Sequence, residues 1–230
     1  MNIHGLNKLT LLDYPGKLSA LVFTGACNFR CPFCQNASLV LRPDSQPLIM
    51  EEEFFRFLES RKGVLEGVCI TGGEPTLQKD LPDFAGRIKE LGFLVKLDTN
   101  GYKPDVLKTM VNEGLVDYVA MDIKNSKDRY AETAGLSFFD ITKIEESVEF
   151  LKTGNVDYEF RTTVTKTFHD LQSVLEMSEW IKGAKRYYLQ SFKDSGDLID
   201  KKTQGYSEAE MKELFNQVKT IVHSAELRGI

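Results

Sequence analysis

Short apolar runs alternate with amphipathic stretches along this chain. The runs at 19–25, 67–71, 93–99, 118–123, 158–164 and 186–192 are rich in β-branched and aromatic residues. Runs of that length and character predict parallel strands covered on both faces. The stretches between them read as helices with recognisable ends. Glu51, Glu52 and Glu53 make an acidic first turn ahead of Phe54, Phe57, Leu58 and Arg61, favourable beside the positive end of a helix dipole. Leu81, Phe84, Ala85, Ile88 and Leu91 share one helical face, with Gly92 at the position of a C-terminal cap. Pro104 suits a first turn, with Val106, Leu107, Met110 and Val111 behind it and Gly114 as the stop. Ser207 and Glu210 have the spacing of a capping box. They open a last helix over about 207–228, with the stripe Met211, Leu214, Phe215, Val218, Ile221 and Val222.

Six strand-then-helix units predict an α/β fold in which right-handed crossovers join parallel strands. Six units are too few for a closed eight-stranded barrel. They leave a partial (β/α)6 barrel or an open doubly wound sheet, with the site at the carboxyl ends of the strands in either case. No low-complexity tract or linker breaks the chain, so 1–230 is expected to be one domain, with 193–205 as a mobile loop.

Composition narrows the function classes. With 42% apolar and 27% charged residues, the 230-residue chain can bury a sizeable core. Its 29 basic and 34 acidic residues give a net charge of −5 without a polybasic run, so nucleic acid and anionic membranes are not expected partners. The longest strictly apolar run in the first third is Ala20-Leu21-Val22-Phe23, far short of a membrane span, and the opening residues lack the apolar core of a signal peptide. A cytoplasmic protein is expected.

Three of the four cysteines fall within one short stretch, Cys27-Asn28-Phe29-Arg30-Cys31-Pro32-Phe33-Cys34. In a reducing compartment such a cluster reads as metal binding or redox chemistry, not as a staple. Three thiolates can hold three irons of a 4Fe–4S cluster and leave the fourth iron open for chemistry. A structural zinc site would instead want a fourth ligand, for which His4, His169 and His223 are distant candidates. Cys69, inside the run Val68-Cys69-Ile70, reads as a small buried hydrophobe.

A second motif, Thr71-Gly72-Gly73-Glu74-Pro75, follows the next strand at the same end of the sheet. Its glycines permit close approach to backbone, and Glu74 offers a carboxylate to an ammonium group. Together, C-x3-C-x2-C and GGEP resemble the radical S-adenosylmethionine (SAM) superfamily. The segments Gly5-Leu6-Asn7-Lys8 and Leu11-Leu12-Asp13-Tyr14-Pro15-Gly16 carry the resemblance toward the glycyl-radical-activating branch, nearest the anaerobic ribonucleoside-triphosphate reductase activating proteins. So do Cys34-Gln35-Asn36, Asp98-Thr99-Asn100-Gly101 and Met121-Asp122-Ile123-Lys124. Two departures stand out: Ala26 where glycine is usual, and Gln35 where histidine is common.

The resemblance implies a radical SAM partial barrel in which Cys27, Cys31 and Cys34 hold the 4Fe–4S cluster and SAM chelates the open iron. It implies that Gly72, Gly73 and Glu74 hold the SAM amino group and that Phe33 packs by the adenine. Lys124, Arg161 and Gln190 would reach the cofactor, Gln190 in place of a histidine. Asp98, Thr99 and Asp122 would lie near the cofactor and could hold a monovalent cation; the alternative is ordinary loop capping. Reductive cleavage of SAM would give a 5′-deoxyadenosyl radical that abstracts hydrogen from a glycine of a partner enzyme. A one-electron donor such as flavodoxin or ferredoxin would supply the electron. The rival readings are a radical SAM enzyme acting on a small molecule, and a non-catalytic electron carrier or zinc module.

Overall fold

The computed structural model describes residues 1–230. The chain builds two compact units that interleave along the sequence. The first comprises residues 1–28, 38–99 and 103–120, and the second residues 29–37, 100–102 and 121–230. Eight strands follow one another in the sheet in chain order.

In the first unit, β1 (Ile3–Thr10) pairs antiparallel with β2 (Ser19–Thr24), and β2, β3 (Gly67–Gly72) and β4 (Leu94–Thr99) run parallel. A short helix α1 (Ala37–Leu41) precedes α2 (Glu51–Glu59), α3 (Leu81–Glu90) and α4 (Pro104–Asn112), which alternate with the strands. The strand β5 (Tyr118–Asp122) begins in this unit and ends in the second. Val68, Ile70, Val95 and Leu97 are fully buried. Phe54, Phe55 and Phe84 form an aromatic knot where α2 meets α3, with Phe54 and Phe84 stacked at 5.2 Å. Phe55 belongs to that knot, whereas Phe57 is only half-buried beneath Lys8 and Arg61.

The second unit carries α5 (Tyr130–Thr133), α6 (Thr142–Thr153), β6 (Asp157–Val164), α7 (Leu171–Trp180), β7 (Tyr187–Ser191), α8 (Glu208–Ile221) and β8 (Ala225–Arg228). Here β6, β7 and β8 are parallel. Alternation along β6 sends Tyr158, Phe160 and Val164 into the core, while Glu159 and Arg161 lie on the opposite face. The buried Glu159 is paired with Arg228 of β8 at 3.2 Å.

The six strands and the partial-barrel α/β class expected from the sequence are present, with two additions and a shortened helix. β1 is a mostly exposed edge strand whose polar residues and Gly5 hide any alternation. The last helix stops at Ile221, because Val222 leaves helical backbone (φ −111°, ψ 90°), and residues expected to continue it form β8 instead. The stretch 193–205 has no helix or strand. No helix is long and apolar enough to cross a membrane.

The α8 capping box is formed: the Ser207 hydroxyl accepts from the Glu210 amide, and the Glu210 carboxylate accepts from the Ser207 amide. Ser207→Ala is therefore expected to lower stability by about 1 kcal/mol, or roughly 2–4 °C in melting temperature for a chain of this size. An unchanged melting curve would mean that tertiary packing of Met211, Leu214 and Val218 alone sets the start of this helix.

Candidate functional site

The first unit joins the two sequence motifs through their backbones. At the end of β2, Thr24 accepts a hydrogen bond from Gly73 N–H and Ala26 accepts one from Glu74 N–H, both at 2.8 Å. The approach is so close that a Cβ on Gly73 would lie 1.9 Å from the Ala26 carbonyl oxygen. A Cβ on Gly72, whose φ is +118°, would lie 2.3 Å from Thr24 N. No side chain other than hydrogen fits at either position. Ala26 has φ 64°, the left-handed region, so the glycine usual there in similar sequences has a plain steric reason.

Glu74 is buried, and its Oε1 accepts from Thr76 N–H at 3.1 Å, Thr76 Oγ1 at 2.5 Å and Thr99 Oγ1 at 2.7 Å. These three neutral donors orient the carboxylate. On β4, Lys96 and Asp98 share a face and form an ion pair, with the Lys96 ammonium also 3.7 Å from Cys69 Sγ. Cys69 is fully buried, as expected, yet its neighbours are polar: its thiol lies 3.5 Å from Asp98 Oδ1. Cys27, half-buried, directs its thiol toward Asn28 Oδ1 at 3.9 Å.

The second unit holds the rest of the cysteine loop. A turn with Cys34 N–H donating to Cys31 O at 2.9 Å sets the spacing of the two thiols. The stretch 193–205 ties this loop down. Asp200 N–H donates to Pro32 O at 2.8 Å, Ser195 Oγ to Gln35 O at 3.1 Å and Gln35 Nε2 to Lys193 O at 2.5 Å. Gln35 thus serves as a tether between the cysteine loop and residues 193–195. Burial pushes the Cys31 thiol up to about 11, against the pull of the Lys124 ammonium, and raises Cys34 as well. Metal loading would release those protons.

At the end of β5, Asp122 receives Lys124 Nζ at 2.9 Å and Arg161 Nε at 3.0 Å. Burial works against ionisation of Asp122, but the two cations override it and hold its carboxyl near 2. Lys124 is kept charged against burial by Asp122. The group of three carries one net positive charge. Phe33, almost wholly buried, packs on Phe168 and His169 at ring separations of 5.9 and 6.0 Å. Gln190 is half-buried on β7, in register with Thr163 and Arg228.

Of the candidate cation ligands, Asp98 is paired with Lys96, Thr99 donates to Glu74, and Asp122 has two cationic partners. The histidines do not offer a fourth metal ligand: His169 uses both ring nitrogens on backbone, while His4 and His223 engage Pro47 O and Lys219 O. Sequence reasoning also missed Lys96 and His169. The period-two spacing of Lys96 and Asp98 on one strand was the available signal for the first.

Residues 21–181 match the radical SAM superfamily. A protein of Methanocaldococcus jannaschii provisionally named a glycyl-radical enzyme activating enzyme is 34% identical, over 99% of this chain and 96% of its own length. The GTP 3′,8-cyclase of Helicobacter pylori is 32% identical over 69% of this chain. This chain spans only about half of that enzyme (50%). Among solved structures, Streptococcus suis SuiB bound to its precursor peptide SuiA superposes with a TM-score of 0.69 at 15% identity, over 91% of this chain and 48% of SuiB. That likeness is one of fold.

His169 also generates a pH prediction. Burial holds its imidazole at about 4, below the usual 6.5. The unfolded chain therefore takes up a proton at a higher pH than the folded one does. The contribution is complete above pH 6.5 and is lost as pH falls toward 4, up to about 3 kcal/mol. Asp122, held near 2, weakens the fold only below this window. Denaturant titrations between pH 7 and 4.5 should show the metal-free protein losing stability with acid, and His169→Gln losing markedly less. Parallel curves for the two would contradict the assignment.

Proposed function

The chain belongs to the radical SAM superfamily, and we propose that, as a radical SAM enzyme, it activates a glycyl-radical enzyme by abstracting hydrogen from a glycine of that partner. The observation that carries this reading is the backbone junction of Ala26 with Gly73 and Glu74, which holds Cys27 and the GGEP carboxylate in one local structure. The 34% identity along nearly the full length of the M. jannaschii protein supports the activase branch. The anaerobic ribonucleoside-triphosphate reductase is the partner to test first, with flavodoxin or ferredoxin as electron donor. Residues 1–230 are taken as one working domain, because the family match crosses both units.

The donor chemistry of the cysteine loop suits a 4Fe–4S cluster with an open iron, although no group of three donors is gathered as a ready-made metal site. Cys27, Cys31 and Cys34 offer three thiols outside any disulfide, while the remaining sulfur, Cys69, is engaged on β3 and β4 by Lys96 and Asp98. When bound, the cluster and SAM supply an adenosyl carbon radical able to take a hydrogen atom. The chain's own part is to bind and orient. Gly72 and Gly73 expose backbone to the SAM amino group, and Glu74 offers its ammonium a carboxylate oriented by Thr76 and Thr99. The net positive charge of Asp122, Lys124 and Arg161 suits the SAM carboxylate, with Asp122 keeping the two cations in place. Phe33 offers a face to the adenine, and Gln190 an amide to the ribose side. Asp98, already neutralised by Lys96, contributes shape rather than charge, and no monovalent cation is needed to balance it.

The similarity to GTP 3′,8-cyclase favours one second reading, a radical SAM enzyme acting on a small purine-like molecule. The two separate by experiment. The reconstituted, reduced protein with its partner should give a persistent doublet in electron paramagnetic resonance, and deuterium on the partner glycine should appear in 5′-deoxyadenosine. Transfer of deuterium only from a small metabolite would establish the second reading instead.

Glu74→Gln tests the cofactor role. All three described donors reach Oε1, which a carboxamide oxygen reproduces, so fold and cluster should survive. SAM binding should weaken by about 10- to 100-fold for loss of a charge-assisted hydrogen bond. Unchanged affinity in this variant would make Glu74 a turn residue only.

A further inference from the structure

His169 takes no part in the binding roles above, yet it touches three segments that do. It closes a tight turn after β6, donating its N–H to Thr165 O at 3.0 Å and receiving the Thr165 N–H on Nδ1 at 3.1 Å. With Nδ1 an acceptor, Nε2 carries the proton, and it donates to Lys124 O at 2.7 Å. The edge of the ring meets Phe33 of the cysteine loop. The turn itself is held from outside, by Tyr206 Oη donating to His169 O at 2.6 Å and by Asn125 Nδ2 donating to Phe168 O at 2.7 Å. One imidazole, 1% exposed, therefore fixes the end of β5, the end of β6 and the ring that lies between Cys31 and Cys34 in sequence.

We infer that His169 is a positioning residue for SAM, setting the Phe33 ring and the Lys124 segment in the places from which they meet the cofactor. The inference rests on the reading of the cysteine loop as the cofactor site. A histidine that served only to fill a cavity would need partners for its nitrogens but not these partners. Both hydrogen bonds run to backbone of segments whose side chains, Lys124 and Arg161, grip Asp122 from either side. Losing the Nε2 bond frees the Lys124 carbonyl, and with it the carbon stem that carries the ammonium. Phe33 has two aromatic supports, Phe168 and His169, on adjacent residues of one turn. Any relaxation of that turn therefore tilts Phe33. The role is fixed by geometry, and the ring must stay neutral to perform it, since a proton on Nδ1 would oppose the Thr165 N–H.

The test uses full-length protein reconstituted anaerobically with iron and sulfide, with no partner enzyme in any sample. His169→Phe keeps a ring against Phe33 and removes both hydrogen bonds; His169→Asn is the second variant. Wild type should bind SAM, which establishes the cofactor site independently of the partner reading. In the variants, iron and sulfide content should match wild type, SAM affinity should fall about 10-fold, and the shift of the reduced-cluster resonance on adding SAM should shrink. Combined with Phe33→Leu, His169→Phe should cost less than the sum of the two single changes, because part of the His169 effect passes through the Phe33 ring and the rest through Lys124. Unchanged affinity in a cluster-loaded variant, or losses that simply add, would overturn the inference. So would loss of the cluster in both variants, which would assign His169 to the fold alone.

Discussion

The contact on which the site depends is made without side chains. Gly73 and Glu74 donate backbone hydrogen bonds to Thr24 and Ala26, and this is possible only because residues 72 and 73 lack a Cβ. The start of the cysteine loop and the Gly-Gly-Glu turn are thereby one piece of structure. From that junction Cys27 continues into the loop, and Glu74 turns inward to be held by Thr76 and Thr99. Parallel β2 and β3 bring the two segments to the same edge, Thr24 standing opposite Gly72 in register. The glycines convert that register into contact. Ala26 strains slightly at φ 64° to complete it.

Electrostatics divides the labour between the units. In the first, Lys96 pairs with Asp98, and Glu74 is oriented by the Thr76 and Thr99 hydroxyls. In the second, Asp122 holds two cations and leaves one positive charge over. Burial raises the Cys31 and Cys34 thiols further above neutral pH, so the loop takes up metal against a proton cost that Lys124 reduces. The tethers from 193–205 to Pro32 and Gln35 limit what that loop can do meanwhile.

Much of this was legible in the sequence where one local rule decides the outcome. The six internal strands announce themselves because both faces are covered, and the capping box at Ser207 because its two residues act on each other. The edges were not legible. β1 lacks alternation because Gly5, Asn7 and Lys8 interrupt its apolar positions, and β8 is four residues long, so neither has a periodic signal. In the site, the cysteines, Gly72, Gly73 and Glu74 are readable from spacing. Pairings that cross between elements are not. Nothing near His169 announces that its ring will bridge the ends of β5 and β6, and 193–205, expected to be mobile from its composition, is anchored by backbone groups that no side-chain pattern encodes.

The central claim, that a backbone junction makes one site of two motifs, is tested most directly at a residue that ligates nothing. Gly73→Ala adds one methyl group against the Ala26 carbonyl. Reconstituted anaerobically beside Gly86→Ala, whose Cβ would meet only Leu115 Cδ2, at an ordinary 3.8 Å, it should take up substoichiometric iron and sulfide and fail to bind SAM. The control should load its cluster and bind SAM like wild type. Full cluster content and wild-type SAM affinity in Gly73→Ala would show that the motifs act independently of their junction, and would contradict the account.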